Sequence, residues 1–119
     1  MSKRILIAED DVFLCKMYKL GLEGLGYEIE MVPNGKDAIA AVAKNPPDLL
    51  LLDLLMPDVD GFEVLREIRE KGQKFPVIIL SNLSQEIDKE KCRTLGASDY
   101  FTKSDMELDQ LAAIIKKYV

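Results

Sequence analysis

The sequence predicts an α/β fold, an open parallel sheet of five strands doubly wound with helices on both faces. Three observations lead there. Five short strand-like runs, near residues 4–8, 27–32, 49–52, 76–80 and 99–103, alternate with five stretches of helical spacing. Four of the five runs are strongly apolar, as strands covered on both sides are. The second, Tyr27-Glu28-Ile29-Glu30-Met31-Val32, alternates apolar and charged residues and reads as an exposed strand near a sheet edge. Five units are too few for an eight-unit closed barrel, and right-handed crossovers then leave an open sheet.

Arg4-Ile5-Leu6-Ile7-Ala8 is the first strand and runs into Glu9-Asp10-Asp11. A helix is expected from Asp11 to about Leu25, with Lys16, Lys19 and Glu23 as a polar stripe. Phe13, Leu14, Met17, Tyr18, Leu20 and Leu25 form its apolar side, and Gly26 ends it. Asn34 caps a second helix that carries Ile39, Val42 and Ala43 to Asn45, where Pro46-Pro47 stops it. Four consecutive leucines, Leu49–Leu52, make the third strand, and Asp53 follows directly. Pro57 and Gly61 stiffen and release the turn beyond it.

Asp60 caps a third helix to about Lys71, with Glu63 placed as in a capping box and Phe62, Leu65 and Ile68 on one face. Pro76–Leu80 is the fourth strand, ending in Ser81-Asn82. The helix from Ser84 to about Leu95 offers only Ile87, Cys92 and Leu95 for burial and is expected to be the least anchored. After the fifth strand, Ser104-Asp105-Met106-Glu107 reads as a capping box. Leu108, Leu111, Ala112, Ile115 and Val119 then keep helical spacing.

At 119 residues the chain is expected to form one domain, residues 1–119. A net charge of −5 and the lack of a basic stripe argue against direct nucleic-acid binding. No apolar run is long enough to span a bilayer. Met1-Ser2-Lys3-Arg4 leads into a strand without a signal-peptide pattern, and Cys15 and Cys92 read as free thiols of a reducing, cytoplasmic compartment. The chain has no histidine, which removes His-based catalysis, His metal sites and any role as a phosphohistidine donor.

In an open parallel sheet, ligands bind beyond the carboxyl ends of the strands. Those ends carry Glu9 and Asp10, then Asp53, Ser81 and Lys103. Three converging carboxylates repel one another, and a hard divalent cation such as Mg²⁺ resolves the conflict through oxygen ligands. A half-open Mg²⁺ site beside a lysine and a hydroxyl suits a phosphoryl group, and Asp53 is the natural nucleophile for an acyl phosphate.

These residues resemble the receiver domain of two-component response regulators. The resemblance rests on Ile-Leu-Ile-Ala-Glu-Asp-Asp at 5–11, on Asp53 followed by Met56-Pro57-Asp58-Val59-Asp60-Gly61, on Ser81, and on Gly96-Ala97-Ser98-Asp99-Tyr100 leading to Lys103. It covers essentially the whole chain. It implies a flavodoxin-like (βα)5 sheet with strand order 2-1-3-4-5. It implies that Asp53 accepts a phosphoryl group from the phosphohistidine of a sensor histidine kinase or phosphotransfer protein. Mg²⁺ would be held by Glu9, Asp10, Asp53 and the backbone carbonyl of Leu55, with Asp10 favoured over Glu9 as direct ligand. Ser81 would bind a phosphoryl oxygen and shift, Lys103 would pair with the phosphoryl group, and Tyr100 would change rotamer. The fourth helix, fifth strand and fifth helix would report the state to a downstream target protein or a C-terminal output domain, as a monomer or a phosphorylation-dependent dimer. Such a chain is a phosphoacceptor that assists its own phosphorylation and dephosphorylation rather than an enzyme with a separate substrate.

One residue departs from the family pattern. Ser104 stands where proline, often after a cis bond, usually follows the lysine, which leaves the Lys103–Ser104 peptide open between cis and trans. An aspartyl-phosphate hydrolase would want a second Asp at the position of Leu55, and a flavin carrier would want a Ser/Thr/Gly-rich loop after the first strand; neither is present. A receiver-like module that binds without being phosphorylated is the remaining alternative. Leu55 and Leu83 flank the site with side chains unable to orient a water, so a long-lived phosphoryl group is expected.

Overall fold

The computed structural model describes residues 2–119; the expectation attached to Met1 lies outside them. The strands are β1 (Arg4–Ala8), β2 (Glu28–Val32), β3 (Leu49–Leu52), β4 (Val77–Ser81) and β5 (Asp99–Thr102). The helices are α1 (Val12–Glu23), α2 (Gly35–Lys44), α3 (Gly61–Glu70), α4 (Glu86–Thr94) and α5 (Leu108–Tyr118). All strand pairs are parallel, in the order β2-β1-β3-β4-β5. The fold class and the strand order agree with the expectation, and the alternating strand β2 does lie at an edge.

The strands pleat with a period of two, so the leucine run divides its residues between two cores. Leu50 and Leu52 join Val42, Val64, Ile68 and Ile79 beneath α2, α3 and α4. Leu49 and Leu51 join Ile7, Tyr18, Leu22, Leu111 and Ile115 beneath α1 and α5. Leu49–Leu52 are all buried, which is why an uninterrupted apolar run was needed there.

Helix α1 differs from the expected packing. It buries Cys15, Tyr18 and Leu22, while Phe13, Met17 and Leu20 face solvent, Phe13 at 84% exposure. The apolar residues of α1 occupy two arcs, and the sheet takes only one of them. Apolarity alone does not say which. The helix also ends at Glu23, short of Leu25, with Gly24 as its cap; Gly26 lies two residues further on at φ +96°.

Two other helix starts shift, those of α4 and α5, and at α3 the expected cap forms without its reciprocal partner. Lys103–Asp105 form a 3₁₀ turn, closed by Met106 N–H donating to the Lys103 carbonyl at 3.2 Å. Ser104 is therefore inside that turn and does not cap α5. Glu107 takes the cap, its own N–H donating to Gln110 Oε1 at 2.9 Å. Asp60 caps α3 by accepting from Glu63 N–H at 3.0 Å, but the Glu63 side chain pairs with Arg66 and does not reciprocate. Gln85, not Ser84, precedes α4, and no side chain caps it. Among the α4 residues only Cys92 is buried, in keeping with its thin apolar face.

The loop from Asp53 to Gly61 is held by close backbone approach. A Cβ on Gly61 would sit 2.3 Å from the Asp53 carbonyl oxygen, and one on Gly35 would sit 2.1 Å from that of Val59. Asp58 within it adopts φ +67°, a conformation that aspartate reaches more readily than most residues.

Candidate functional site

Four strand ends converge on one spot. Glu9 continues β1, its N–H donating to the Val32 carbonyl at 3.1 Å, and Asp53 continues β3, its N–H donating to the Ala8 carbonyl at 3.0 Å. These backbone bonds hold two carboxylates in place, and both are almost completely buried, Glu9 at 5% and Asp53 at 4% exposure. Asp10 beside them is exposed. Each of the three offers an oxygen within 4.8 Å of the others.

Burying ionised carboxylates together requires a counter-charge and hydrogen bonds. Lys103, from the turn after β5, supplies the charge. Its Nζ lies 2.5 Å from Glu9 Oε1 and 2.9 Å from Asp53 Oδ2, with the lysine side chain only 15% exposed. The second oxygen of each carboxylate accepts from a nearby backbone amide. Asp11 N–H donates to Glu9 Oε2 at 3.1 Å, and Leu55 N–H donates to Asp53 Oδ1 at 3.2 Å. Burial pushes the Glu9 carboxyl above the ordinary glutamate range, and the neighbouring Asp53 charge adds to it; the bonds from Lys103 and Asp11 only partly offset this. For Lys103, burial disfavours the charge, but its bonds to Glu9 and Asp53 together outweigh that and hold the ammonium above the usual lysine range. Three carboxylates and Lys103 are expected here from the sequence; the sharing of one lysine between two carboxylates is what the structure adds.

Ser81 ends β4 and is fully buried, its Oγ accepting from Leu83 N–H at 3.3 Å. The half-buried Tyr100 hydroxyl donates to the Leu83 carbonyl, and burial pushes its pKa up to about 12. Leu55 is 53% exposed beside Asp53. The Lys103–Ser104 peptide is trans, and Ser104 N–H donates to Asn82 Oδ1 at 3.0 Å. Sequence reasoning missed Asn82, whose only signal was its place directly after Ser81.

The donor set of Glu9, Asp10 and Asp53 is all carboxylate oxygen, the chemistry of a hard divalent cation, and the cluster can hold one. Among the described residues no helix is long and apolar enough to cross a membrane.

Lys103→Met should leave two buried carboxylates facing each other without a cation. We expect a loss of about 3 kcal/mol at neutral pH in metal-free buffer. A carboxyl whose folded pKa is raised gives stability that is present while it is protonated and lost as pH rises through that pKa. The deficit should therefore shrink as pH falls towards the ordinary glutamate value of 4.5. Urea unfolding of parent and variant across pH measures it; a deficit independent of pH would contradict the shared-cation geometry.

Comparison with known proteins agrees with this geometry. The family model described as the response regulator receiver domain matches residues 5–116. The transcriptional regulatory protein TrcR of Mycobacterium tuberculosis is 36% identical over 113 residues, covering 95% of this chain and 44% of TrcR. This chain spans less than half the length of the curated relatives it matches. Among solved structures, the receiver domain of the Francisella response regulator 1452 superimposes with a TM-score of 0.92 at 29% identity, covering 98% of this chain and 96% of that one. The receiver domain of sensor histidine kinase PA1611 from Pseudomonas aeruginosa, which holds a magnesium ion in its active-site cleft, gives 0.87 at 29% identity, covering 99% and 98%. With a family match spanning nearly the whole sequence and the same fold in its structural neighbours, this chain belongs to the receiver domain family of two-component response regulators.

Proposed function

We propose that Asp53 accepts a phosphoryl group from a partner's phosphohistidine, with Mg²⁺ held by Glu9, Asp10, Asp53 and the backbone carbonyl of Leu55. The observation that carries this reading is the buried Asp53 carboxylate, with two more carboxylates within 4.8 Å and the Lys103 ammonium at 2.9 Å. When bound, Mg²⁺ supplies positive charge that lets an anionic acceptor meet an anionic phosphoryl group.

An Asp53 oxygen attacks phosphorus as the donor's P–N bond lengthens. The electron pair of that bond returns to the imidazole nitrogen, which leaves as neutral imidazole because its other nitrogen already carries a proton. One P–N bond is exchanged for one P–O bond of an acyl phosphate. Lys103 turns from the carboxylates to the new phosphoryl oxygens. Ser81 Oγ, now engaged with Leu83 N–H, turns to donate to another of them. The loop from Asn82 to Gln85 and the Tyr100 ring then rearrange, and α4, with one buried side chain, is the element cheapest to move.

The exposed Phe13, Met17 and Leu20 lie at helical spacing on α1, the helix that follows Glu9 and Asp10 in the chain, and support docking of a donor helix from a sensor histidine kinase or phosphotransfer protein. The reporting surface of α4, β5 and α5 would address an output domain on a longer chain or a separate target. The absence of a basic stripe from this chain argues that any nucleic-acid contact is made elsewhere.

Incubation with acetyl phosphate and Mg²⁺ should add one phosphoryl group by intact mass, and Asp53→Ala should abolish it. Asp10→Asn should lose Mg²⁺ binding by calorimetry while keeping the parent's circular dichroism. A parent that gains no mass, or an Asp10→Asn variant that binds Mg²⁺ as well as the parent, would overturn the assignment.

The lifetime of phospho-Asp53 depends on placing a water in line with phosphorus, and neither Leu55 nor Leu83 can hydrogen-bond one. The double variant Leu55→Asn/Leu83→Glu should release phosphate about tenfold faster, the rate effect of roughly 1.4 kcal/mol in water placement. Equal release from the two phosphoproteins would show that these positions do not set the lifetime.

A further inference from the structure

Two loops border the site, one after β4 and one after β5, and the last register pair between these strands is Ser81 with Thr102. Beyond that pair the ladder stops, yet the loops are still joined. Ser104 N–H donates to the Asn82 carboxamide oxygen at 3.0 Å, a side chain standing in for the next rung. Ser104 is the middle residue of the 3₁₀ turn whose first residue is Lys103. The backbone that carries the Lys103 side chain is thus fastened to the residue directly after Ser81.

The identity of residue 104 makes this fastening possible. A proline there would have no N–H to give Asn82. It would also push Lys103 out of the helical region of backbone space, away from the turn seen here. We infer that Asn82 is a positioning residue for Lys103: by holding the Ser104 amide it couples the turn that aims the ammonium at Asp53 to the strand end that carries Ser81. A shift of Ser81 towards a phosphoryl group would then draw the Lys103 turn with it, so that hydroxyl and ammonium close on the group together. Asn82 is exposed and touches neither carboxylate in this structure, so its effect passes through the backbone of residue 104.

This inference rests on the proposed phosphoryl acceptance by Asp53, and the test separates the two. The parent, Asn82→Ala, Ser104→Pro and the double variant are phosphorylated with phosphoramidate and Mg²⁺ over a range of donor concentrations. Exchange of the Ser104 amide is followed by NMR in the unphosphorylated parent and Asn82→Ala. The Ser104 amide should exchange faster in Asn82→Ala. The maximal phosphorylation rate should fall two- to tenfold, the span of one ordinary hydrogen bond, with the half-saturating donor concentration unchanged. In the Ser104→Pro background Asn82→Ala should have no further effect, because the donor is already gone. Ser104→Ala, which keeps the N–H, should match the parent. An unchanged Ser104 amide in Asn82→Ala overturns the inference, as does an equal rate loss from Asn82→Ala in both backgrounds. A parent that takes up no phosphoryl group overturns the proposed function instead, and the amide measurement then still decides whether Asn82 holds the turn.

Discussion

Two carboxylates at the ends of adjacent strands share one ammonium, and the rest of the structure serves that arrangement. Glu9 and Asp53 are too buried to be left charged without a partner, and Lys103 Nζ reaches both. Each carboxylate places its other oxygen on a backbone amide, so the buried charges are satisfied without solvent. The balance is still incomplete, since burial keeps the Glu9 carboxyl raised. A site of this kind has a standing preference for additional positive charge, and the exposed Asp10 beside it gives a divalent cation an oxygen not engaged by Lys103. A phosphoryl group on Asp53 would redistribute the same charges by giving Lys103 a stronger acceptor than either carboxylate.

The turns after β4 and β5 are tied in a way that would carry that redistribution outward. Ser81 and Lys103 leave neighbouring strands, and each is bonded to the loop through which α4 is reached: Ser81 through Leu83 N–H, Lys103 through Ser104 and Asn82. Tyr100 holds the same loop through the Leu83 carbonyl. The far end of α4 is held differently. The Arg69 guanidinium donates to the carbonyls of Gly96, Gln73 and Phe75, fixing the turn after α4 to the end of α3. One end of the helix is thus held by a half-buried fork of hydrogen bonds. The other is uncapped and borders the site, which favours a swing about the Gly96 end over a rigid translation.

Most of the fold was legible in the sequence because it depends on pattern. Four leucines in a row need two covered faces, and the Glu28–Met31 alternation needs one open face, so both strands could be placed. The grouping of the candidate site residues was legible because ligands of an open parallel sheet bind beyond the ends of its strands. What the sequence hid depends on geometry at a single contact. Which arc of α1 would be buried turned on the sheet beneath it, and Phe13 and Leu20 fell on the exposed arc. Ser104 followed by Glu107 has the spacing of a capping box, yet the chain first makes a 3₁₀ turn and the cap passes to Glu107. Lys103 was expected near the site, but its sharing between two carboxylates, and its fastening through Asn82, appear only once the loops are placed in space.

Charge placed on Asp53 should be read out through the loops after β4 and β5 and the helix between them. Amide hydrogen exchange with and without beryllofluoride and Mg²⁺, which together mimic the phosphoryl group, measures this directly. The expected result is a change in protection concentrated in residues 82–103 and greatest at the site end of α4, with β1 and β3 unaltered. Protection that is the same in both states, or that changes evenly across the chain, would contradict it.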